Sequence, residues 1–448
     1  MLTGPLAGKI MLFAIPLMLS SILQLCFNAA DTIVVGRYAG ETSLAAVGAC
    51  ASLINLIINA FLGLSVGVSV RVAHAWGAKL EKEVGKITHT AVAVAFAGGI
   101  GLTLVGVIGC RYFLTWMGTP DDVITLATLY MRIYFLGMPA NMVYNFSASV
   151  LRSLGDTKRP MIFLIIAGVV NVILNLITVI FFDMGVAGVA IATVVSQCVS
   201  CALILGFMAS EKSPCRLRLK ELRIDKAQLI AIARIGLPAG LQATIFSVSN
   251  VIIQSSLNSF GSTAIAGNTA AVNLEAFVYM AMNAFYHASL TFVGQNVGAG
   301  QYKRVKRIVF TCLIIVTSVG VVTGTLMCVF RYPLLAIYRP NAPEVWEYGA
   351  RRMLVILTTY FTCGIMEVLT GAMRGMGASL LPMAISLLGV CGIRIVWVFT
   401  VFQQYRSIET LYASYPISWV GTILVQIFGV VWIYRKTAGK GKKTEETE

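Results

Sequence analysis

The chain has 448 residues, of which 58% are hydrophobic and 12% are charged, and its formal net charge is +15 at pH 7. The apolar residues come in long runs, which is a composition typical of membrane proteins. Lys and Arg stand in short blocks between these runs, as in positive cytoplasmic loops, so the charge does not indicate a nucleic-acid partner. The sequence shows no ATP-binding P-loop and no zinc or disulfide spacing, so we expect no ATP hydrolysis and no cofactor.

Twelve apolar segments are long enough to cross a membrane, since a hydrocarbon core about 30 Å thick needs roughly 20 apolar residues per helix. We therefore predict an all-α integral membrane protein with twelve transmembrane helices. The spans lie near residues 10–35, 44–70, 88–113, 124–150, 160–182, 186–209, 229–259, 264–292, 308–330, 346–372, 380–402 and 411–434. The first segment is too long for a cleavable signal peptide and reads as a transmembrane helix.

Basic residues follow the even-numbered spans. The connection at 210–228, for example, holds Lys212, Arg216, Arg218, Lys220, Arg223 and Lys226. The connections after odd-numbered spans contain no Lys, and their Arg residues are Arg37, Arg111, Arg331, Arg339 and Arg406. This asymmetry predicts that both termini are cytoplasmic.

The two halves of the chain repeat each other at a shift near 221. Pro16 falls on Pro238, Gly40 on Gly261 and Gly77 on Gly298, and LRSLGDTKRPM (151–161) falls on MRGMGASLLPM (373–383). Because each half holds an even number of spans, both halves enter the membrane in the same direction, as in transporters built from parallel repeats. We predict an N-terminal lobe at 1–209, a cytoplasmic linker at 210–228, a C-terminal lobe at 229–435 and a charged tail at 436–448.

Within the first span, Asp31 in NAADTIVVGR shares one helical stripe with Gln24 and Asn28. A charge at the centre of a membrane helix costs about 2.5 to 3.5 kcal/mol of insertion free energy, so its presence there needs an explanation. Asp31 either forms part of a site or caps the loop that begins at Gly36. The TIVV segment after Asp31 continues the span and favours the site.

Two asparagines in the fifth span, Asn171 and Asn175, are one helical turn apart. Their amides can offer oxygens to a small cation, or simply join helices by hydrogen bonds. Thr193 in the sixth span lies near small residues that permit close packing, and taken alone it is expected to be structural.

The second half holds Glu275, Glu367 and Arg394 within predicted spans. Glu275 and Arg394 come at a similar depth, and a permanent ion pair between them is one interpretation. Glu367 lies nearer the cytoplasmic end and is a candidate gate or proton site. A lone His287 is expected to be a satisfied core residue.

The sequence from Pro16 to NAADTIVVGR, the Gln295-Asn296 stretch and the doubled LRSLGDTKRP and MRGMGASLLP resemble the multidrug and toxic compound extrusion (MATE) family. The resemblance extends from about residue 10 to 435. It implies two six-helix lobes around a central cavity, in the inner (plasma) membrane. It also implies alternating access, with export of organic cations in exchange for Na⁺ or H⁺.

The resemblance implies a cation-coupling site at Asp31, Asn171, Asn175 and Thr193, with Na⁺ held by the first three. Many members carry Asp at the place of Asn175, so this site has one carboxylate fewer and should hold Na⁺ more weakly. The sequences around Glu275 and Glu367 resemble those of one bacterial multidrug branch of the family.

Six polar or charged residues are candidate contacts for the substrate. They are Gln24, Asn28, Asn145, Glu275, Glu367 and Arg394. The expected partners are small amphipathic cations and membrane lipid, and the protein is expected to be a monomer and not an enzyme. The alternative is a flippase for lipid-linked precursors, which would be expected to carry several deep basic residues for phosphates.

Overall fold

The computed structural model describes residues 1–211, 213–338 and 342–445, and throughout these residues the regular secondary structure is helical. Lys212 of the predicted linker, Arg339 of a predicted connection and the last three residues of the predicted tail lie outside them. The predicted all-α class is confirmed.

The helices follow the chain in this order. The first half contains α1 (Leu6–Tyr38), α2 (Glu41–Gly77), α3 (Glu81–Trp116), α4 (Asp121–Leu136), α5 (Met138–Leu154), α6 (Lys158–Leu176), a π-helix (Ile177–Phe181) and α7 (Gly185–Ser210). A 3-10 turn (Leu219–Glu221) precedes α8 (Lys226–Asn258), α9 (Ser262–Gly298), α10 (Tyr302–Val329), α11 (Arg331–Tyr338), α12 (Pro343–Leu357) and α13 (Tyr360–Gly375). The chain continues with α14 (Leu380–Ser386), a second π-helix (Leu387–Gly392), α15 (Ile393–Phe399), α16 (Val401–Gln404) and α17 (Ile408–Glu445).

Among the described residues, nine helical segments are long and apolar enough to cross a membrane, and the count rises to eleven if two bent pairs are each one span. The pairs are α4 with α5, bent by 48°, and α12 with α13, bent by 46°. The remaining predicted span, near 264–292, falls on α9, which is 37 residues long and buries polar side chains such as Asn268 and Asn296.

The internal repeat is visible in the backbone. Gly40 and Gly261 precede α2 and α9 with φ of 87° and 89°. Gly155 and Gly377, aligned in the repeated loop motif, also have positive φ, at 106° and 88°. Only glycine adopts these angles without steric cost, so the repeat conserves turn geometry as well as residue type. The two bent helix pairs also start at aligned positions, Asp121 and Pro343.

One compact unit comprises Leu19–Gly240. Its buried core lies among α2, α3, α4, α5 and α7, with Met131, Phe135 and Phe146 among its largest enclosed side chains. The linker lies along α3 in this unit. Arg218 donates its backbone N–H to Nε2 of His89 over 3.1 Å, and burial raises the pKa of the Cys215 thiol.

The other compact unit comprises Met1–Met18 and Leu241–Glu448. Its main core lies among α9, α10, α13 and the first half of α1, where the rings of Phe13 and Phe292 meet edge to face at 5.7 Å. Both α1 and α8 contribute residues to each unit. The lobe boundaries at 209 and 229 stay a prediction, because these units are defined by compactness and not by chain order.

Candidate functional site

The polar face of α1 carries Gln24, Asn28 and Asp31 in the unit Leu19–Gly240. Gln24 and Asn28 are exposed, whereas Asp31 is half-buried. The helix continues through Gly36 to Tyr38, about two turns beyond Asp31. Asp31 is therefore inside the helix, which disfavours the interpretation that it caps a loop.

A continuous hydrogen-bond network joins Asp31 to the two predicted asparagines and to Thr193. Asn175 donates from Nδ2 to Oδ1 of Asp31. The same Nδ2 donates to Oδ1 of Asn171 over 3.3 Å, and Nδ2 of Asn171 donates to Oγ1 of Thr193 over a long 3.5 Å. The Thr193 hydroxyl donates to the carbonyl oxygen of Val189 over 2.9 Å. Residues of α1, α6 and α7 thus meet in one polar network.

One buried oxygen of this network has no donor. Oδ1 of Asn175 lacks a hydrogen-bond partner among the described residues, although Asn175 is only 1% exposed. Buried amide oxygens are normally paired, so an orphan oxygen beside a carboxylate favours a ligand from outside the chain. A proton on Asp31 or a small cation would supply the missing partner. The oxygens of Asp31, Asn171 and Asn175 have the chemistry that Na⁺ requires.

Local packing brings the helices of the network together. A Cβ atom at Gly168 of α6 would lie 1.9 Å from Cε2 of Phe27 on α1, so only glycine permits this approach. The π-helix that begins at Ile177 follows Asn175 directly, and such turns are frequent at functional sites.

Two tyrosines near Asp31 were not anticipated. Tyr130 and Tyr134 stack at 6.0 Å on α4, and both interact electrostatically with Asp31. Their spacing of four residues within an apolar span is equally typical of core packing, so the sequence pattern did not distinguish them.

Asn145 has partners on its own helix. Its Nδ2 donates to the backbone oxygen of Asn141 over 2.9 Å and to Oδ1 of Asn141 over 3.0 Å. The structure therefore gives Asn145 an intrahelical role, and its contact with substrate stays a prediction.

In the other unit, Glu275 is paired with Arg352 and not with Arg394. Arg352 donates from Nε and Nη2 to the two carboxylate oxygens of Glu275 over 2.9 and 2.8 Å. Its Nη1 donates to Oδ1 of Asn268 over 2.9 Å, and Tyr412 donates to the same oxygen over 3.2 Å. The suggested Glu275–Arg394 pair is wrong, because the packing of α9 against α12 places Arg352 against the carboxylate.

Sequence reasoning missed Arg352, although a signal was present. Arg351 and Arg352 follow each other in GARRM within a predicted span. Adjacent residues point in different directions around a helix, so only one of them could face the interior. Arg351 is exposed and pairs with Glu347 and Glu409, which leaves Arg352 for Glu275.

Arg394 is buried, and the acceptors of its hydrogen bonds are neutral. Its Nε donates to Oγ of Ser418 over 3.0 Å, and its Nη1 donates to Oδ1 of Asn250 over 3.4 Å. The guanidinium also lies over the rings of Tyr415 and Trp419, at 4.2 and 5.9 Å.

Glu367 is half-buried on α13 and accepts no hydrogen bond from any described residue. The charge that acts on it is that of Arg374, two turns later on the same helix. Arg374 donates to the Tyr286 hydroxyl over 2.7 Å and to Oε1 of Gln242 over 2.8 Å. Glu367 is thus a carboxylate without a fixed partner. His287 meets the ring of Tyr286 at 4.9 Å.

Among the described residues, no group of three His, Cys, Asp or Glu side chains could hold a metal ion. A Na⁺ at Asp31 would therefore depend on amide and hydroxyl oxygens for its remaining ligands.

Comparison with protein-family models gives two matches. The model described as MatE matches residues 16–177 and 238–400, so its two blocks begin at the prolines aligned by the repeat. A model described as the lipid II flippase MurJ matches residues 119–261.

Similar curated proteins are named as multidrug resistance proteins or as transporters. The probable multidrug resistance protein YoeA of Bacillus subtilis is 29% identical over 428 residues, covering 93% of this chain and 92% of that protein. The probable multidrug resistance protein NorM of Thermotoga maritima is 26% identical over 419 residues, covering 93% and 88%. An FAD transporter of Shewanella oneidensis is 25% identical over 382 residues, covering 84% and 83%.

Solved structures share the fold. A MOP superfamily transporter from Pyrococcus furiosus superposes with a TM-score of 0.89 at 20% identity, covering 98% of each chain. The Vibrio cholerae MATE transporter VcmN superposes with a TM-score of 0.87 at 22% identity, covering 97% of each chain. With the family model matching well over half of its residues, the chain belongs to the MATE family of multi-pass membrane transporters, which are not enzymes.

Proposed function

We propose that the protein is a secondary antiporter that exports organic cations from the cytoplasm in exchange for Na⁺ or H⁺ by alternating access. The observation that carries the proposal is Asp31, a half-buried carboxylate inside a membrane helix. It lies beside an Asn175 amide oxygen that has no hydrogen-bond partner among the described residues. Membership of the MATE family supports the transport class. The relatives named for multidrug resistance support drugs as the substrates.

The hydrogen bond between Asn175 and Asp31 suggests how the ion acts. Asn175 now presents its N–H to the carboxylate, which suits a charged Asp31 without a bound ion. Rotation of the amide about its terminal torsion exchanges Nδ2 and Oδ1. The oxygen then accepts the proton of a neutral Asp31, or shares a Na⁺ with its carboxylate. Either ion neutralises Asp31: a proton reverses the hydrogen bond, and a Na⁺ replaces it with coordination by the two oxygens.

Coupling follows if the two forms of this hydrogen bond favour different positions of α1. The helix contains Pro16, which removes one backbone hydrogen bond and permits bending. We expect ion uptake at Asp31 and drug binding along Gln24 and Asn28 to exclude each other, so that the ion gradient drives release.

The charges available to a cationic substrate are fewer than the sequence indicated. Glu275 is already neutralised by Arg352, so it contributes structure and no free negative charge. Asp31 and Glu367 remain, and we assign the attraction of cations to these two carboxylates. Asn145 and Arg394 stay candidate substrate contacts. We also propose a monomer in the inner (plasma) membrane with both termini in the cytoplasm.

The test is efflux from proteoliposomes with one gradient imposed at a time. The purified protein is reconstituted into lipid vesicles. The vesicles are loaded with ethidium, and either a Na⁺ gradient or a pH gradient is imposed across their membrane. Saturable efflux under one of the two gradients is the expected result, and it names the coupling ion. Efflux that needs neither gradient, or no efflux under either one, would contradict the antiporter.

A flippase for lipid-linked precursors is the second candidate, because the MurJ model matches residues 119–261 and because Arg374 and Arg394 are buried basic residues. The two acidic residues without a basic partner, Asp31 and Glu367, weigh against a cavity built for phosphates. Translocation of a fluorescent polyprenyl pyrophosphate in the same proteoliposomes, without ethidium efflux, would favour the flippase.

A further inference from the structure

Helices α3 and α10 begin at aligned positions of the internal repeat. The stretch GAKLEKEVGK (77–86) falls on GAGQYKRVKR (298–307). Both helices bury the aligned valine, which is Val84 in α3 and Val305 in α10. Each helix therefore turns the same side to the core of its own unit, and aligned surface positions can be compared directly.

The first turns of α3 contain both signs of charge, whereas the charged residues at the start of α10 are all basic. In α3, Glu81 and Glu83 stand in the first turn, and Glu83 pairs with Lys86 over 3.1 Å. Residues 293–330, which include all of α10, contain no Asp or Glu. The basic residues of its first two turns are Lys303, Arg304, Lys306 and Arg307. Like charges three and four residues apart repel each other on a helix, so this arrangement needs an explanation.

The basic side chains of α10 have neutral partners. Among the described residues, none of the four forms a salt bridge. Arg304 donates from Nη2 to the backbone oxygen of Gly4 over 2.9 Å, and its buried Nε has no hydrogen-bond partner in the described chain. Nζ of Lys306 lies 4.8 Å from the centre of the Tyr434 ring. A positive surface of this kind attracts anions from outside the chain.

Two of these cations stand at the end of an exposed apolar stripe. Lys303 and Arg307 are exposed on the side of α10 opposite the buried Val305. The next turns on the same side present Phe310 and Ile314, which are 66% and 52% exposed. Spacings of four, three and four residues keep the stripe on one side of the helix. We call these four exposed residues the α10 face. Its basic end and apolar continuation match the head group and acyl chain of an anionic phospholipid.

In the first half, the linker covers the side of α3 that corresponds to the α10 face. Phe310 is aligned with His89, which is only 5% exposed. The linker lies over His89, because the backbone N–H of Arg218 donates to its Nε2 over 3.1 Å. The backbone N–H of Asp225 donates to the adjacent Thr90 hydroxyl over 3.2 Å. Because Phe310 is mostly exposed, no described segment covers α10 in this way, and its face is open to an external partner.

We propose that the α10 face binds an anionic phospholipid, with the phosphate at Lys303 and Arg307 and one acyl chain along Phe310. Arg304 and Lys306 flank the head group and add to its attraction. The general excess of basic residues in cytoplasmic loops accounts for Lys and Arg here, but it does not account for the absence of the acidic residues that α3 carries. The lipid is a bound partner and not a transported substrate, so the proposal is independent of the exported compound and of the coupling ion.

The test is a lipid titration of the purified protein in detergent, followed by native mass spectrometry. Dioleoylphosphatidylglycerol and dioleoylphosphatidylcholine are compared by the apparent Kd of the first bound lipid. We expect phosphatidylglycerol to bind at least about tenfold more tightly, since each basic residue near an anionic lipid contributes roughly a fivefold attraction. The double variant Lys303→Gln with Arg307→Gln should lose this preference. Equal binding of the two lipids by the unaltered protein would overturn the proposal.

The aligned positions of α3 supply a matched control. Lys82→Gln with Lys86→Gln removes the same charge at the places of Lys303 and Arg307. This variant should keep the preference for phosphatidylglycerol, because the linker covers the corresponding side of α3. An equal loss of preference in the two double variants would show that net charge, and not the α10 face, holds the lipid.

A third variant tests the acyl chain. Phe310→Ala should weaken phosphatidylglycerol binding at least about threefold, because contact with apolar surface is lost. It should leave the ratio between the two lipids unchanged, since the basic residues remain. An unaltered affinity for phosphatidylglycerol in Phe310→Ala would contradict the proposed position of the lipid.

Crosslinking of the unaltered protein does not depend on any variant. Phosphatidylglycerol with a diazirine in its acyl chain is incorporated into phosphatidylcholine nanodiscs and activated by light. We expect the labelled peptide to contain Phe310, with the same yield in an excess of inorganic phosphate. Loss of the label in phosphate would mean that the face binds free phosphate and that the lipid assignment is wrong. Labels confined to other helices, or a second copy of the chain crosslinked at α10, would also overturn the proposal.

Discussion

Arg352 and Glu275 form a two-point ion pair in which Nε and Nη2 of the arginine donate to the two carboxylate oxygens over 2.9 and 2.8 Å. Both side chains are 6% exposed. The pair takes the most obvious acidic residue of the second half out of the set available to a substrate. It also leaves Arg394 as a separate buried cation, whose acceptors among the described residues are Ser418 and Asn250.

Breaking this pair should cost stability. Glu275→Gln leaves the Arg352 charge buried without a partner, and we expect a loss of about 3 to 5 kcal/mol in unfolding free energy. The double variant Glu275→Leu with Arg352→Met should recover most of that loss, because it removes both charges. Unfolding of the detergent-solubilised protein, followed by tryptophan fluorescence, measures the change.

The matched control for that measurement is Glu347→Gln, which breaks the exposed pair with Arg351. Exposed ion pairs contribute at most about 1 kcal/mol, so this variant should unfold almost as the unaltered protein does. A Glu275→Gln variant as stable as Glu347→Gln would show that the buried pair is not structural.

Asp31→Asn should abolish gradient-driven export and leave the protein folded. The amide keeps the size of the side chain and still forms hydrogen bonds. It carries no negative charge, however, so it has no charge for a proton or Na⁺ to neutralise. Efflux of ethidium from proteoliposomes should fall to the level of protein-free vesicles. Asp183→Asn is the control, since Asp183 is exposed and has a left-handed backbone that asparagine also adopts. Normal export by Asp31→Asn would refute the coupling assignment.

Asn175→Asp should strengthen the dependence on Na⁺. A second carboxylate beside Asp31 adds negative charge to the oxygen set, so we expect the half-maximal Na⁺ concentration for efflux to fall on the order of tenfold. Asn258→Asp changes charge equally but lies outside the network, on α8, where Oδ1 of Asn258 accepts a hydrogen bond from Gln254 over 3.3 Å. If both variants shift the Na⁺ dependence alike, or neither does, Asn175 is not an ion ligand.

Gly168→Ala should separate α1 from α6. The added Cβ would meet the Phe27 ring at 1.9 Å, and overpacking of this kind costs about 1 to 3 kcal/mol. Export should fall with stability, because α1 carries Asp31 and α6 carries Asn175. Gly101→Ala in α3 has no atom within 4 Å of the new Cβ and should be neutral or slightly stabilising. Equal thermal shifts in the two variants would contradict the close approach.

Some site residues could be predicted from the sequence because a polar group in an apolar span is a local feature. Asp31, Asn171 and Asn175 stand out as polar residues within apolar spans. Helical spacing places Asp31 on one face with its polar neighbours of the first span, and Asn171 on one face with Asn175. Tyr130 and Arg352 did not stand out in the same way. A tyrosine in a span is typical of packing, and Arg352 is hidden by its neighbour Arg351.

The sequence by itself determined the helical class and the internal repeat. The length of an apolar run and the position of a turn glycine such as Gly155 or Gly377 are local features, because each affects only the backbone next to it. Only the tertiary structure decided the partners. Asn175 reaches Asp31 across 144 residues of chain, and Glu275 pairs with Arg352, whereas Arg394 donates to Ser418. Such pairings depend on which helices pack together and on how each is rotated about its axis, and neither is encoded in the local pattern of any one span.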